Sequence, residues 1–190
     1  MKSRLKEVEK KYRIKHLDKE ALVLLLEEAG ATLIKRKREV DTYFNVAGRD
    51  SLMTKECLRV RESNNKKEIT YKPPTYACNA DQSHFAKIET NVAVQDTVLA
   101  IELLKLIGNE VLVVVEKDRS YYELGECSIT LDLITGAGLF AEIEVETNDE
   151  KSGIRQIDAA AATIGLDSSM IEMAPYRDLV LKARSRPTTR

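Results

Sequence analysis

The chain has 190 residues, of which 43% are apolar, and its 30 Lys and Arg nearly balance its 31 Asp and Glu. Its length and apolar content are typical of one domain, predicted over residues 1–182 with 183–190 as a disordered tail. The balanced charge argues against nucleic-acid and acidic-membrane partners, and because no apolar stretch has the length of a signal peptide or a membrane span, we expect a cytoplasmic protein.

Capping residues and apolar spacing predict the helices, and segments rich in Val, Ile, Thr and Tyr with alternating polarity predict the strands. In chain order these are strand Glu7–Ile14, a helix between Asp18 and Gly30, strands Glu39–Phe44, Leu58–Glu62, Glu68–Lys72 and Phe85–Val94, a helix between Asp96 and Gly108, strands Val111–Tyr122, Cys127–Ile134 and Phe140–Thr147, a helix from Asp149 to Ile164, and a short helix after Pro175.

The order of elements repeats over the first part of the chain. Three sets of positions are related by a step of 78: Gly30 and Gly108, Tyr43 and Tyr121, and the charged pairs Glu9/Lys11 and Lys87/Glu89. We therefore predict two β-α-β-β-β halves that form one closed sheet. The alternative is a chance similarity between two unrelated helix-strand units.

Charged residues alternate with apolar ones along nearly every predicted strand. Successive side chains point to opposite faces of a strand, so these charges share one face. An open antiparallel sheet with one face in water gives the same pattern without any site. A closed barrel covered by helices would instead turn the charges inward. Its interior would hold seven bases (Lys11, Arg59, Arg61, Lys72, Lys87, Lys117, Arg119) and seven acids (Glu7, Glu9, Glu89, Asp132, Glu142, Glu144, Glu146).

An interior with charges of both signs predicts a ligand with both signs. Unpaired burial is costly, so the charges must be paired, hydrated or matched by a ligand. Arg and Lys bind phosphate oxygens, and carboxylates from two strands bind a hard divalent cation such as Mg²⁺ or Mn²⁺. The pattern therefore favours a metal-dependent enzyme that acts on a nucleotide or another small triphosphate.

Six charged motifs follow one another along the chain: Glu7-Val-Glu9-Lys-Lys11, Asp41-Thr-Tyr-Phe44, Leu58-Arg-Val-Arg-Glu62, Ile69-Thr-Tyr-Lys72, Glu116-Lys-Asp-Arg119 and Gly136-Ala-Gly-Leu-Phe-Ala-Glu142-Ile-Glu144. In this order they resemble the CYTH superfamily, the triphosphate tunnel metalloenzymes. Ile129–Glu144 and the ending Pro175-Tyr-Arg-Asp-Leu179 most resemble its class IV adenylyl cyclase branch, which converts ATP to cyclic AMP and pyrophosphate.

The resemblance implies an α+β fold with a closed antiparallel eight-stranded β-barrel, the triphosphate tunnel, and helices packed outside. It implies that Mg²⁺ or Mn²⁺ is held by Glu7, Glu9, Glu142 and Glu144. It implies phosphate contacts from Lys11, Arg59, Arg61, Lys72, Lys117 and Arg119, with Asp132 orienting an arginine. Within this set Lys11 and Arg119 are the predicted catalytic residues. A homodimer is compatible with the cyclase branch.

One strand departs from the family pattern. Relatives often carry Arg and a second Glu where this chain has Lys87, Glu89 and Asn91. Lys87 is kept as a predicted substrate-binding residue, but the geometry of this strand is left open. Two loop segments, Asn45–Glu56 and Pro73–His84, are candidate lids over the site.

Three functions remain open at this stage. The leading one is a class IV-type adenylyl cyclase. The second keeps the same tunnel but hydrolyses thiamine triphosphate, inorganic triphosphate or a nucleotide. The third is a non-catalytic module that binds polyphosphate or a nucleotide; the many acids count against it, because phosphate capture needs bases alone.

Overall fold

The computed structural model describes residues 6–64, 66–74 and 89–185, which form eight strands and four helices. The elements are β1 (Lys6–Ile14), α1 (Lys19–Glu28), β2 (Thr32–Asn45), β3 (Cys57–Ser63), β4 (Lys66–Lys72), β5 (Thr90–Ala93), α2 (Thr97–Leu106), β6 (Glu110–Leu124), β7 (Cys127–Ile134), β8 (Gly138–Thr147), α3 (Glu150–Thr163) and α4 (Tyr176–Arg184).

The predicted caps start the first three helices. The Asp18 carboxylate accepts a hydrogen bond from the backbone N–H of Ala21, and Asp96 and Asp149 cap α2 and α3 in the same way. Of the predicted strand Phe85–Val94, residues 85–88 lie outside the described residues. None of the described helices is long and apolar enough to cross a membrane.

All strands are antiparallel and form one sheet in the order β1-β8-β7-β6-β2-β3-β4-β5. This confirms the predicted eight-stranded antiparallel α+β architecture. In the described residues the edge strands β1 and β5 are not hydrogen-bonded to each other, so backbone pairing does not close the barrel. The sheet still curves around an interior, because side chains of β1, β3, β4 and β8 line the same cavity.

The strand order has an internal twofold pattern. When β1–β4 are exchanged with β5–β8, the new strand order is the original order read from the opposite edge of the sheet. Glu39 of β2 lies opposite Lys117 of β6, and these two residues are 78 positions apart (117 − 39 = 78). The predicted repeat is therefore present, and its pseudo-twofold axis passes between these two residues.

One predicted correspondence between the halves is wrong. At one edge of the sheet Glu9 of β1 lies opposite Glu144 of β8, and at the other edge Thr70 of β4 lies opposite Asn91 of β5, which places Glu89 beside Lys72. Followed through the sheet from the central pair, Glu9 therefore corresponds to Glu89, a step of 80 (89 − 9 = 80). The connections between strands differ in length in the two halves, so β5 is displaced by two residues from the position that a constant step of 78 predicts.

Three helices cover the outer face of the sheet. Leu22 and Leu26 of α1 and Ile157 of α3 pack in one apolar cluster with Ile129 and Ile143. A second cluster, which contains Ala100 and Leu104 of α2, packs on Phe44, Leu58 and Val60. These contacts place the alternating apolar residues outside, beneath helices, and the charged residues inside.

Helix α4 differs from the predicted placement of all helices outside. Its residues Tyr176, Leu179 and Val180 pack with Val113 and Val115 of β6, which share a face with the inward-pointing charges. The helix therefore fills one end of the interior. Its amphipathic sequence allows this because the inner face of the sheet becomes apolar at that end.

Candidate functional site

The inward-facing charges converge on a cavity of about 120 Å³. Six predicted site residues border it, and they come from four strands: Glu7, Glu9 and Lys11 from β1, Arg59 from β3, Lys72 from β4 and Glu142 from β8. Strands β1 and β4 are distant in the hydrogen-bonded order. The curvature of the sheet is therefore what brings the acids and the bases to one space.

Three of the four predicted metal ligands form a compact carboxylate cluster. One oxygen from each of Glu7, Glu9 and Glu144 lies within 4.8 Å of the other two. Burial and the neighbouring carboxylates raise the pKa of Glu9 to about 7 and that of Glu144 to about 8. Three convergent carboxylate oxygens that repel one another are a donor set suited to a hard divalent cation such as Mg²⁺ or Mn²⁺.

Glu142, the fourth predicted metal ligand, borders the cavity but forms an ion pair with the guanidinium of Arg119. Its carboxylate accepts a hydrogen bond of 2.6 Å from Arg119. Burial alone would raise the pKa of Glu142, but Arg119 and Lys11 outweigh burial and lower it to about 2. Glu142 is therefore held as an anion by protein cations, unlike the three carboxylates of the cluster.

Three predicted phosphate ligands are bound in ion pairs inside the sheet. Arg61 donates two hydrogen bonds, of 2.7 and 2.8 Å, to the Asp41 carboxylate. Lys117 lies 3.2 Å from Asp41, and Arg119 donates two hydrogen bonds to Asp132. Asp132 therefore orients an arginine, and these bases lie beside the cavity without lining it.

The acids of these ion pairs are strongly stabilised as anions. Burial favours the neutral form of Glu39, yet Lys117 and Arg61 outweigh it and lower the pKa of Glu39 to about 2. The hydroxyl of Tyr121 also donates a hydrogen bond of 2.7 Å to this carboxylate. In Asp41 the same cations, with Arg59, hold the pKa well below its usual value against full burial.

Arg59 differs from Arg61 two positions away. Its guanidinium lies 3.7 Å from Asp41 and 3.4 Å from the Tyr43 hydroxyl, so neither contact is a close bidentate pair. Its Nε is buried and has no hydrogen-bond partner among the described residues. Because Arg59 also lines the cavity, it has hydrogen-bonding capacity left for a ligand.

Two lysines complete the basic side of the cavity. Lys11 Nζ donates a hydrogen bond of 2.6 Å to the backbone oxygen of Ala174 and lies 4.6 Å from the centre of the Tyr176 ring. Burial lowers the pKa of Lys11, although Glu142 and Glu9 oppose this effect. Lys72 Nζ lies 2.5 Å from the carboxylate of Glu89. Both ammonium groups are thereby held at the cavity wall.

The sequence motifs and this fold coincide with one family. A model of the CYTH domain matches residues 5–168 of the chain. The chain belongs to the CYTH family. CYTH tunnel enzymes act on triphosphates and depend on metal ions, and the carboxylate cluster facing the bases is what such an activity requires.

Curated relatives of this CYTH chain bear adenylate cyclase names. A candidate adenylate cyclase of Methanocaldococcus jannaschii is 30% identical over 142 residues, which cover 75% of this chain and 79% of that protein. Adenylate cyclase CyaB of Aeromonas hydrophila is 28% identical over 181 residues, or 91% of this chain and 87% of that protein. These names support the predicted resemblance to the class IV branch.

Solved structures share the fold. A Pyrococcus horikoshii protein superposes with a TM-score of 0.78 at 31% identity, covering 92% of this chain and 99% of that protein. HpAC1 of Hippeastrum, named as a candidate adenylyl cyclase and described as having a dominant triphosphatase activity, superposes with a TM-score of 0.68 at 17% identity. The alignment covers 95% of this chain and 98% of HpAC1.

Sequence reasoning missed the contribution of α4 to this CYTH site. The Tyr176 hydroxyl donates a hydrogen bond of 2.8 Å to Asp132, and its ring stacks edge-on against Phe140 at 5.2 Å. Tyr176 also lines the cavity together with Pro175 and Arg177. The motif Pro175–Leu179 had marked the segment, but nothing in its pattern showed that it enters the interior.

The loop predicted as a lid is tied down at its end. Glu56 is fully buried, and its carboxylate accepts hydrogen bonds from Arg49, Thr54 and the hydroxyl of Tyr71. The guanidinium of Arg177 donates a further bond of 2.9 Å to the Glu56 backbone oxygen. These contacts join the loop to β4 and α4, which does not fit a mobile lid.

Two predictions fall outside the described residues. Lys87, a predicted substrate-binding residue, is one of them. Most of the other candidate lid, Pro73–His84, is also outside, since only its first two residues are described.

Proposed function

We propose that this CYTH protein is a metal-dependent enzyme that converts ATP to cyclic AMP and pyrophosphate. One arrangement supports the proposal most. Glu7 and Glu9 line one cavity with the bases Lys11, Arg59 and Lys72, and Glu144 completes the carboxylate cluster beside them. A divalent cation and a phosphate chain are the paired charges that such a cavity complements.

The proposed roles follow from what each side chain can still bind. Glu7, Glu9 and Glu144 would hold the metal ion, which when bound withdraws charge from phosphate oxygens. Arg59 contacts the phosphates, because it lines the cavity and its terminal nitrogen makes only long contacts with Asp41 and Tyr43. Lys11 and Lys72 neutralise the remaining phosphate charge from the cavity wall.

In the cyclase reaction the ribose 3′-oxygen bonds to the α-phosphorus and releases its proton to solvent water, and the bond from that phosphorus to the pyrophosphate oxygen breaks. Of the two catalytic residues predicted from sequence, Lys11 is the one at the cavity, and its ammonium group stabilises the charge on the phosphoryl oxygens. Its contact with Ala174 holds the ammonium in place before the charge develops. Arg119, which lies off the cavity, acts through Glu142.

A product assay with variants tests this function. We expect purified protein with ATP and Mn²⁺ to release cyclic AMP and pyrophosphate in equal amounts. Glu144→Gln removes one carboxylate of the cluster and should lower kcat/KM by about 100-fold or more. Glu146→Gln is the matched control and should stay within about twofold, because Glu146, two positions along the same strand, is exposed and not enclosed in the interior as the strand pattern predicted. Equal loss in both variants would contradict the assignment of the cluster.

A triphosphatase is the second candidate, supported by the triphosphatase activity described for the structural neighbour HpAC1. Both reactions need the same cations and metal, and they differ in which phosphorus faces the nucleophile. Water attacking the terminal phosphorus would release inorganic phosphate. In the same assay, phosphate without cyclic AMP would establish the triphosphatase and rule out the cyclase.

A binding module without catalysis predicts a different response. Tripolyphosphate would bind, and neither ATP nor tripolyphosphate would be consumed with any divalent metal. The carboxylate cluster counts against this function, because capture of an anion gains nothing from three acids that repel one another.

A further inference from the structure

We infer that Glu89 is a positioning residue, which holds Lys72 on the phosphate side of the cavity and thereby keeps the carboxylate cluster open for a metal ion. The role of the cluster and of Lys72 rests on the proposed function. The role of Glu89 rests on contacts that involve neither a metal nor a substrate. These contacts also account for the strand that departs from the family pattern.

Lys72 has two acidic neighbours that compete for its ammonium group. Its Nζ lies 2.5 Å from Glu89, and among the described residues no other carboxylate lies within 4.0 Å of it. The ammonium also attracts Glu9 through space, and both side chains line the same cavity. A lysine side chain is long and flexible, so without Glu89 it would be free to pair with Glu9.

A short chain of hydrogen bonds fixes Glu89 itself. The Asn91 side-chain amide donates a hydrogen bond of 2.8 Å to Glu89 Oε1, while Lys72 occupies Oε2. The buried hydroxyl of Thr70 donates a bond of 2.8 Å to the Asn91 oxygen. Thr70 and Asn91 are directly opposite each other on β4 and β5. Both carboxylate oxygens of Glu89 therefore have partners. The register between β4 and β5 sets the position of this Thr70–Asn91–Glu89 hydrogen-bond chain.

These contacts argue against Glu89 as a metal ligand. The group of carboxylates close enough to share an ion among the described residues is Glu7, Glu9 and Glu144. Glu89 is instead bound to a protein cation that already neutralises its charge. A carboxylate used in this way would have to release Lys72 before it could bind a metal.

The pseudo-twofold axis gives an independent reason for this arrangement. It relates Lys72 to Glu144 and Glu89 to Glu9, so the position that the carboxylate cluster takes at the β1–β8 edge of the sheet is taken by a lysine-glutamate pair at the β4–β5 edge. Asn91 corresponds to Lys11. A second lysine at position 91 would compete with Lys72 for Glu89, whereas the neutral amide donates a hydrogen bond and leaves the pair intact.

The cavity then has two positive charges, one from a bound divalent metal ion and one from the Lys72 ammonium group. The cluster takes a divalent ion, and Lys72 supplies a positive charge on the facing wall. A phosphate chain placed between them would contact both. If Lys72 instead paired with Glu9, the cluster would lose its attraction for the metal and the facing wall would lose its charge.

A double-mutant cycle on Mn²⁺ binding, without any triphosphate, tests the inference. Free Mn²⁺ is measured by electron paramagnetic resonance with wild type, Glu89→Gln, Lys72→Met and the double variant. We expect Glu89→Gln to weaken Mn²⁺ binding about tenfold, because the released lysine pairs with Glu9. Lys72→Met should bind Mn²⁺ at least as tightly as wild type. In that background Glu89→Gln should add less than about a twofold loss, a coupling of the size found between contacting residues.

A further variant and its control test the Thr70–Asn91–Glu89 hydrogen-bond chain. Asn91→Ala should weaken Mn²⁺ binding in the same direction, by about threefold. Glu62→Gln is the matched control, since Glu62 pairs with Lys67 at 3.7 Å across the neighbouring β3–β4 strand pair. It should leave Mn²⁺ binding within about twofold. Circular dichroism and the unfolding midpoint confirm that each variant is folded.

The outcomes separate this inference from the proposed function. An equal loss of Mn²⁺ affinity from Glu89→Gln with and without Lys72 would mean that Glu89 acts directly on the metal, and would overturn the positioning role. No loss from Glu89→Gln, or no Mn²⁺ binding by wild type, would overturn it as well. If the cycle shows the expected coupling but neither ATP nor tripolyphosphate is consumed, the proposed function fails and the positioning role stands.

Discussion

Arg59 and Arg61 are two positions apart on one strand face and have different surroundings. Arg61 makes a bidentate pair with buried Asp41, whereas Arg59 lines the cavity and has a buried Nε with no partner among the described residues. The first arginine is bound by the protein and the second is available to a ligand. This difference separates a residue that stabilises the fold from one that we propose binds substrate.

Truncation of Arg59 should mainly weaken ligand binding, whereas truncation of Arg61 should mainly lower the stability of the fold. Arg59→Met should weaken binding of tripolyphosphate with Mn²⁺ at least tenfold, because a phosphate contact is lost. Arg61→Met leaves a buried carboxylate short of its closest partner and should lower the free energy of unfolding by about 3 kcal/mol. Isothermal titration and urea unfolding measure the two effects. Arg61→Met costing less stability than Arg59→Met would contradict this division.

Glu39 should make the folded state sensitive to acid. Its pKa is about 2 in the folded protein against an ordinary value of 4.5, so its stabilising contribution is present above pH 4.5 and is lost as pH falls towards 2. Between pH 5 and 3 the loss is about 2 kcal/mol. Urea unfolding of Glu39→Gln over this range should show a shallower fall than wild type by about this amount. Identical slopes would show that the carboxylate is not held in its ion pairs.

Sequence alternation predicted which side chains point inward, but it could not assign their partners. Glu142 and Glu144 are two positions apart on β8 and share one face of the strand. The first is bound by Arg119 and the second joins the carboxylate cluster. The choice depends on which side chains of neighbouring strands are opposite, and the register between strands is set by turns and packing that the pattern does not contain.

At the scale of elements, α3 packs on the outer face of the sheet through a glycine. A Cβ built on Gly153 would lie 2.8 Å from Thr147 Cγ2 and 3.1 Å from Val145 Cγ1. The first distance is shorter than atoms tolerate, and both contacts are with β-branched side chains of limited freedom. The close approach of the helix to β8 therefore requires a residue without a side chain.

Gly153→Ala should destabilise the protein although alanine favours helices. The overlap costs about 1–3 kcal/mol, whereas the gain in helix propensity is about 1 kcal/mol, so we expect a lower urea midpoint. Ser152→Ala, one position earlier on α3 and partly exposed, is the control and should change stability by less than about 0.5 kcal/mol. A midpoint raised by Gly153→Ala would mean that α3 lies farther from the sheet.

The helices were predictable as elements, but the placement of α4 was not. Caps and spacing gave α1, α2 and α3 because these signals are local. The apolar face of α4 could equally have covered the outside of the sheet. It lies inside because Val113, Val115 and Phe140 leave an apolar surface at that end of the interior, and this surface exists only once the sheet has curved.

At the scale of the whole molecule, the two halves share an ion-pair position with the signs exchanged. In the first half Arg61 of β3 binds Asp41 of the central strand β2. In the second half Asp132 of β7 binds Arg119 of the central strand β6. The exchange keeps the central strands neutral overall while it lets acids collect on β1 and β8 and a lysine on β4. The side of the interior at β1 and β8 thus suits a metal ion, and the side at β4 suits phosphate.

A crystal structure of the protein with Mn²⁺ and a non-hydrolysable ATP analogue measures this arrangement directly. The account predicts an anomalous Mn²⁺ peak bound by Glu7, Glu9 and Glu144, with phosphate oxygens reaching from it to Arg59 and Lys72. Analogue and Mn²⁺ bound on the outer face of the sheet, with the interior empty of both, would contradict it.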